Sequence, residues 1–199
     1  MQITSIKISK IPNRVWITFS NNSFLPFFID DVVKLSLVKN QEIDQSKLEL
    51  ITKTALQFVG REYALRQIAI SPKVEKIIYQ KLKIFFQKVF LKYKINYQNI
   101  NEIIQEIIEY LNSKNLLNEK KFTEYFIQKN KNKSSQQISF LLSQYNIKTS
   151  LENNDLEKIK KIIDKKKNMD KLKLKSLLYR RGFNLSDINN AFDEGLNFR

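Results

Sequence analysis

The sequence predicts a mainly α-helical chain: tandem three-helix repeats in an elongated array, carrying a small antiparallel β-meander at the N-terminus. Three observations predict it. Apolar and polar residues alternate through the first thirty positions. Helical periodicity takes over afterwards, where glycine and proline almost vanish: Gly60, Gly182 and Gly195 are the only three glycines of 199 residues. A pattern of apolar positions and turn residues then recurs 36 residues further on, a period typical of repeat architectures.

The meander rests on period-two alternation. Ile6 and Ile8 alternate with polar neighbours, and Val15, Ile17 and Phe19 alternate with Trp16 and Thr18. Ile11-Pro12-Asn13 separates these runs, Ser20-Asn21-Asn22-Ser23 is a second turn, and Pro26 fits a strand at the sheet edge. Three short strands are marginal alone, so the sheet is expected to pack on a helix. Trp16 reads as a packing residue of this sheet.

Asp30-Asp31 open a short helix expected to reach Leu37, since acidic residues suit the positive end of a helix dipole. Asp44 is an N-cap for a helix from Gln45 to Val59, with Gly60 as its break. Ser71-Pro72 starts the next helix, with proline at the first helical position. Its aromatic residues interleave with lysines, a pattern that can stack on single-stranded bases. Phe86, Phe90 and Tyr93 share one helical stripe, however, which places them in the core. Residues 99–112 carry Ile100, Ile103, Ile104, Ile107, Ile108 and Leu111, a strong amphipathic stripe.

The recurrence pairs Ile138, Leu141, Leu142, Asn146 and Ile147 with Leu174, Leu177, Leu178, Gly182 and Phe183. Phe126-Ile127 pair with Ile162-Ile163 at the same offset, and Asp155-Leu156 match Asp187-Ile188 at an offset of 32. The expected organisation is a meander and short helix over 1–43, then helical repeats over 44–112, 113–156 and 157–199. Units of this size bury their apolar faces by stacking.

Composition narrows the chemistry. Thirty-five Lys and Arg against twenty Asp and Glu give a net charge of +15, most of it beyond Gly60 and spread along the helices. Such an excess favours polyanionic partners. There is no Cys and no His, which excludes thiolate nucleophiles, His-based triads and ordinary zinc sites. Glu102, Glu106 and Glu109 share a helix face, but no nucleophile or further ligand accompanies them, so they read as an acidic solvent face. No phosphate-binding glycine loop is present. The expectation is a protein without catalytic activity, cofactor or metal. No run of about 20 apolar residues offers a membrane span, and the N-terminus lacks a signal-peptide pattern. A monomer in the cytosol, away from membranes, is therefore expected.

Two basic runs stand out: Lys129, Lys131 and Lys133, then Lys165, Lys166 and Lys167. Phosphate or acidic-protein contact competes here with the plainer reading of solvated helix ends. Arg180 and Arg181 are sharper candidates, because only six basic residues are Arg and its planar fork pairs with phosphate or carboxylate. A charge pair suiting the C-terminal end of a helix explains them equally well.

Ordered along the chain, four segments resemble the RecX family. Leu37-Val38-Lys39-Asn40-Gln41-Glu42-Ile43 is similar to the family's entry to its helices, and Ser71-Pro72-Lys73-Val74-Glu75 with Leu82 to the opening of its first repeat. Asn115-Leu116-Leu117-Asn118-Glu119-Lys120-Lys121-Phe122 with Tyr125-Phe126 resembles its middle segment. Arg180-Arg181-Gly182-Phe183, Asp187-Ile188 and Ala191-Phe192 resemble its closing segment. Thr123 stands where a small Ala is usual and Asn146 where Gly is common, and Lys83–Tyr93 is longer than the family's first repeat needs. The resemblance implies three-helix repeats that bind RecA-type recombinase filaments, and often single- or double-stranded DNA, limiting filament growth without catalysis. The rival readings are a DNA- or RNA-binding helical protein with no filament partner, and a carboxylate-metal nuclease.

Overall fold

The computed structural model describes residues 1–95 and 97–193. Gly195 and the last residues of the third expected repeat lie outside that range. The chain divides into two compact units, Met1–Asn118 and Glu119–Arg199.

In the first unit, β1 (Ile3–Ile8), β2 (Arg14–Phe19) and β3 (Phe24–Phe28) form an antiparallel sheet in that order. The alternation works as expected in β2, where Val15, Ile17 and Phe19 are buried. Pro26 sits on the edge strand β3, opposite Trp16. In β1 the buried anchor is Ile3, whereas Ile6 is half-buried and Ile8 is 82% exposed. Ile6 and Ile8 do face Ile17 and Val15 across the ladder. β1 is the other edge strand, though, and its end overhangs the core. A bulge between Ile3 and Ser5 resets the strand so that Ile3 turns inward. The segment before the first long helix closes beside it, with Ile3 N donating to Gln41 O at 3.0 Å and Asn40 N donating to Ile3 O at 2.8 Å.

Helix α1 (Ile29–Lys34) carries Asp30 and Asp31 in its first turn and stops short of the expected Leu37. Asp44 caps α2, accepting from Lys47 N at 2.7 Å. Gly60 does not break α2, which runs from Gln45 to Ile70. Its role is close packing: a Cβ there would collide with Ile107 and lie 2.7 Å from Phe86 Cζ. Pro72 is likewise not the first helical residue, because α3 spans Glu75–Tyr93 and residues 72–74 approach it in non-helical backbone. Helix α4 (Ile100–Ser113) buries Ile103, Ile104, Ile107, Ile108 and Leu111, as its stripe dictates. These residues join Ile51, Leu56, Ile78, Leu82, Phe86 and the inner face of the sheet in one core. Trp16 packs edge-on to Tyr93 and against Phe24.

The second unit holds α5 (Glu119–Lys129), α6 (Ser135–Ser143), α7 (Asp155–Lys165), α8 (Lys171–Arg180) and α9 (Leu185–Asp193). The recurrence is visible in these bounds. α5 and α7 begin and end 36 residues apart, and α6 and α8 begin 36 residues apart. The turns match too, with Asn146 at φ 65° and Gly182 at φ 83°, the left-handed conformation that closes many helices. Ile159, Ile162, Ile163, Leu174, Leu178, Phe183, Ile188, Ala191 and Phe192 make one apolar cluster from α7, α8 and α9. Phe122, Ile138, Leu142 and Ile147 are buried around α5 and α6, with the rings of Phe122, Phe126 and Tyr145 in mutual contact.

Candidate partner-binding face

The head of α6 is where the two helix pairs of the second unit meet. Ser134 is its N-cap, accepting from Gln137 N at 3.0 Å, while Ser134 N donates to Arg181 O at 3.0 Å. Ser135 N and Ser135 Oγ both donate to the Asp155 carboxylate, each at 2.8 Å from Oδ1. Lys158 Nζ completes the group, 2.7 Å from Ser135 Oγ and 3.0 Å from Asp155 Oδ1. Ser134, Ser135 and Asp155 are all buried. Unpaired, these groups would be costly at such burial, so their mutual satisfaction fixes the α5–α6 pair against α7 and the end of α8. Gly182 tightens the joint: a Cβ there would lie 2.7 Å from Gln137 Cβ and 2.9 Å from Ser134 Oγ.

This joint distributes the basic residues. Lys129 is the last residue of α5, exposed, with Nζ 5.8 Å from the Tyr125 ring centre. Lys131 is exposed and Lys133 half-buried in the turn to α6. Through Ser134 that turn lies beside Arg181, the half-buried C-cap of α8. Lys165 ends α7, Lys166 is its half-buried C-cap, and the exposed Lys167 lies 3.3 Å from Asp164 Oδ1. Both partners of that last pair are more than half exposed, so water screens it and it is weak. The two runs occupy equivalent places: Lys129 and Lys131 precede Lys165 and Lys167 by the repeat offset.

Lys165, Lys166 and Lys167 line a concavity at the α7–α8 turn together with Asp164, Asn168, Met169, Asp170 and Lys173, four lysines against two aspartates. A second, mostly apolar groove continues along α8, lined by Met169, Leu172, Lys173, Ser176, Leu177 and Arg180. The shared residues Met169 and Lys173 make this one face, with Lys165–Lys167 at one end and Arg180 at the other. Lys173 is the functional candidate that sequence reading passed over. Its helical spacing to Leu177 and Arg180 carries the signal, but it belongs to no charge run. The α5–α6 lysines and Arg181 line neither concavity.

One member of the acidic stripe of α4, the half-buried Glu106, has a structural occupation, while Glu102 and Glu109 are exposed. Glu106 accepts from Lys53 Nζ at 2.6 Å and from Gln57 Nε2 at 2.5 Å. The Lys53 hydrogen bond holds the Glu106 carboxyl below its usual range, and the same bond raises Lys53 above its own. Among the described residues, no group of three or more Asp or Glu is placed to hold a metal ion. No helix among them is long and apolar enough to cross a membrane.

No family model matches the chain. It is, however, 31% identical over 188 residues to a regulatory protein RecX of Streptococcus agalactiae serotype V, covering 89% of this chain and 67% of the relative. The chain belongs to the RecX family. The corresponding RecX of S. agalactiae serotype III is 30% identical over the same shares. That of Streptococcus uberis is 31% identical over 124 residues, 62% of this chain and 43% of the relative. A crystal structure of regulatory protein RecX matches with a TM-score of 0.52 at 19% identity, covering 96% of this chain and 98% of that one. At that identity the match speaks to fold, and it bears out the mainly helical architecture with its N-terminal sheet. Membership of RecX makes the chain a regulatory protein, as the ordered segments around Leu37, Ser71, Asn115 and Arg180 imply.

Proposed function

We propose that this RecX-family chain is a non-enzymatic regulator that binds RecA-type recombinase filaments and limits their growth and activity. The observation that carries the proposal is the face along α7 and α8, where Lys165, Lys166, Lys167, Lys173 and Arg180 converge on two adjoining concavities. Cations gathered on one concave face strengthen attraction to a polyanion more than the same charges dispersed. Lys129, Lys131 and Lys133, at the equivalent turn one repeat earlier, and Arg181 beside them supply a second set of contacts. The repeats are proposed to span residues 44–112, 113–156 and 157–199, so that basic turns recurring from helix pair to helix pair meet acidic surface recurring from protomer to protomer. In this reading the chain acts as a monomer in the cytosol, without cofactor or metal.

The deciding experiment is RecA-driven ATP hydrolysis on single-stranded DNA, at low salt, with and without the protein. Substoichiometric protein is expected to lower the steady-state rate. An unchanged rate with both proteins folded refutes the filament reading. The second reading, a DNA- or RNA-binding protein with no filament partner, is favoured by the net charge of +15. It would show as a salt-sensitive shift of bare DNA with no effect on RecA.

A further inference from the structure

The two copies in the second unit share their cores and differ on one face. Ile138 and Leu142 of α6 are buried, and so are their counterparts Leu174 and Leu178 of α8. Along the same side, Gln136 and Gln137 of α6 and its C-cap Gln144 become Leu172, Lys173 and Arg180 of α8, while Phe140, 59% exposed, becomes Ser176. The exposed apolar side chain has moved from mid-helix to the helix head, and cations have replaced two amides.

That position has a use in the first copy. The head of α6, at Ser134, Ser135 and Gln137, is the seat on which Asp155, the first residue of α7, and the turn at Gly182 dock. Thirty-six residues on, the same seat on α8 is Asp170, Lys171 and Lys173. Asp170 caps its own helix, accepting from Leu172 N and Lys173 N at 3.0 Å each. Lys171 leans over the Phe192 ring, 5.4 Å from its centre. Among the described residues the seat is otherwise open: Lys171 and Lys173 are exposed, and Leu172 is 76% exposed above the apolar groove.

We infer that this groove docks a helical segment of a partner protein, one whose first turn carries a carboxylate and whose face carries an apolar side chain. The inference rests on the reading of the α7–α8 face as the partner contact. The carboxylate meets Lys171 and Lys173 where Ser135 meets Asp155 in the first copy. The apolar side chain lies between Met169, Leu172 and Leu177, and further acidic residues reach Arg180 at one end and Lys165–Lys167 at the other. α8 has 10 residues, which at 1.5 Å rise each gives a groove of about 15 Å, the length of roughly three helical turns. A nucleic-acid backbone would use the cations of this face but not its apolar groove. It is held by cations and polar donors, and Leu172 would be covered by phosphate without any gain from apolar burial.

The test uses the full chain and a fluorescein-labelled 16-residue peptide, with Asp in its first turn, Leu at positions four and three apart, and Glu elsewhere. A scrambled peptide and oligo(dT) serve as parallel probes, and binding is read by anisotropy. The designed peptide is expected to bind more tightly than the scramble. Leu172→Ser is expected to weaken the peptide roughly tenfold, the worth of one buried apolar side chain, and to leave oligo(dT) within twofold. Lys173→Gln with Arg180→Gln weakens the peptide as well. Circular dichroism melts confirm that both variants fold. The inference is overturned if the peptide binds no better than the scramble, if Leu172→Ser leaves it unchanged, or if only oligo(dT) binds. Concentration-dependent dimers in sedimentation, lost in Leu172→Ser while the peptide fails to bind, would also overturn it, in favour of a second copy. A parallel assay on RecA filaments separates the two proposals. Filament binding indifferent to Leu172→Ser sinks the groove and spares the regulator. Peptide binding that depends on Leu172, with no filament binding, does the reverse.

Discussion

Removing the Asp155 carboxylate is expected to loosen the second unit by an amount that the hydrogen bonds fix. In Asp155→Ala, Ser135 N loses its acceptor, since both of its bonds, at 2.8 and 3.1 Å, go to Asp155. The residue is buried, so the orphaned donor costs about 1–3 kcal/mol. Ser135 Oγ fares better, because Glu152 O remains 3.1 Å away and Lys158 Nζ still reaches it. Lys158 has a 24% exposed side chain and recovers water in place of the carboxylate. The expected total is about 2–3 kcal/mol, near the upper end for a single orphaned donor. For a unit of this size each kcal/mol moves the midpoint by roughly 4–8 °C, so a fall of roughly 10–20 °C is expected. Asp155→Asn keeps one oxygen for Ser135 N and should lose about half as much. The assay is urea and thermal unfolding followed by circular dichroism at 222 nm, with the lone Trp16 reporting separately on the first unit. If Asp155→Ala stays within about 0.5 kcal/mol of wild type, the range of an unremarkable surface site, the carboxylate is not what holds the head of α6.

Three further outcomes follow from the same geometry. Gly60→Ala should destabilise the first unit by about 1–3 kcal/mol through overpacking against Phe86 and Ile107, although the same change in an open helix stabilises by about 1 kcal/mol; a gain in the urea midpoint would contradict the close approach. The Lys53–Glu106 pair makes stability depend on pH at both extremes. Glu106 is lowered from 4.5, so its contribution is complete above that value and fades as pH falls through the lower folded-state value, whereas Lys53 is raised from 10.5, so its contribution is complete below that value and fades as pH rises through the higher one. Glu106→Gln should therefore flatten the acid limb of a stability-against-pH curve, and an unchanged limb would show the pair to be inert. Replacing Lys165, Lys166, Lys167, Arg180 and Arg181 by Gln should weaken binding to filaments or DNA and flatten its salt dependence, at about 0.5 kcal/mol or less per site in stability; wild-type affinity and salt slope would clear this face, and a collapsed midpoint would mark the arginines as structural.

What the sequence displays well is whatever depends on near neighbours. The isoleucines of α4, the alternation of β2 and the Asp44 cap are local patterns, and each is realised in the structure. The recurrence was also visible, because turn residues and core residues repeat together at Asn146 and Gly182. Gly60 reads as a break because glycine's usual role in a helix is to end it. Here its use comes from Phe86 and Ile107, which are distant in sequence. Pro72 misled for a related reason: Lys73 and Val74 are buried before α3 begins, so burial set the helix start where the proline signal did not. The candidate face was half legible. Lys165–Lys167 and Arg180 show as charge in the chain, but Lys173 and Leu172 matter only through the groove they share. Asp155 shows in the sequence as a repeat marker, and its carboxylate's grip on Ser135 is not legible from either residue alone.

The meeting of the two helix pairs at Ser134, Ser135, Asp155 and Arg181 has a mechanical side. Among the described residues, the apolar cluster of α7–α9 includes none of α5 or α6, and at the head of α6 the pairs are joined by a handful of directional bonds beside the close approach of Gly182 to Gln137. A joint of that make differs from a greasy one in how it yields. Water can take over each donor and acceptor only once it has parted, so the resistance is concentrated in the first few tenths of an ångström. It also carries little of the heat-capacity change that apolar exposure brings. A joint of this kind sets the spacing of α6 from α7 and the end of α8 by the directions of a few bonds more than by any buried area.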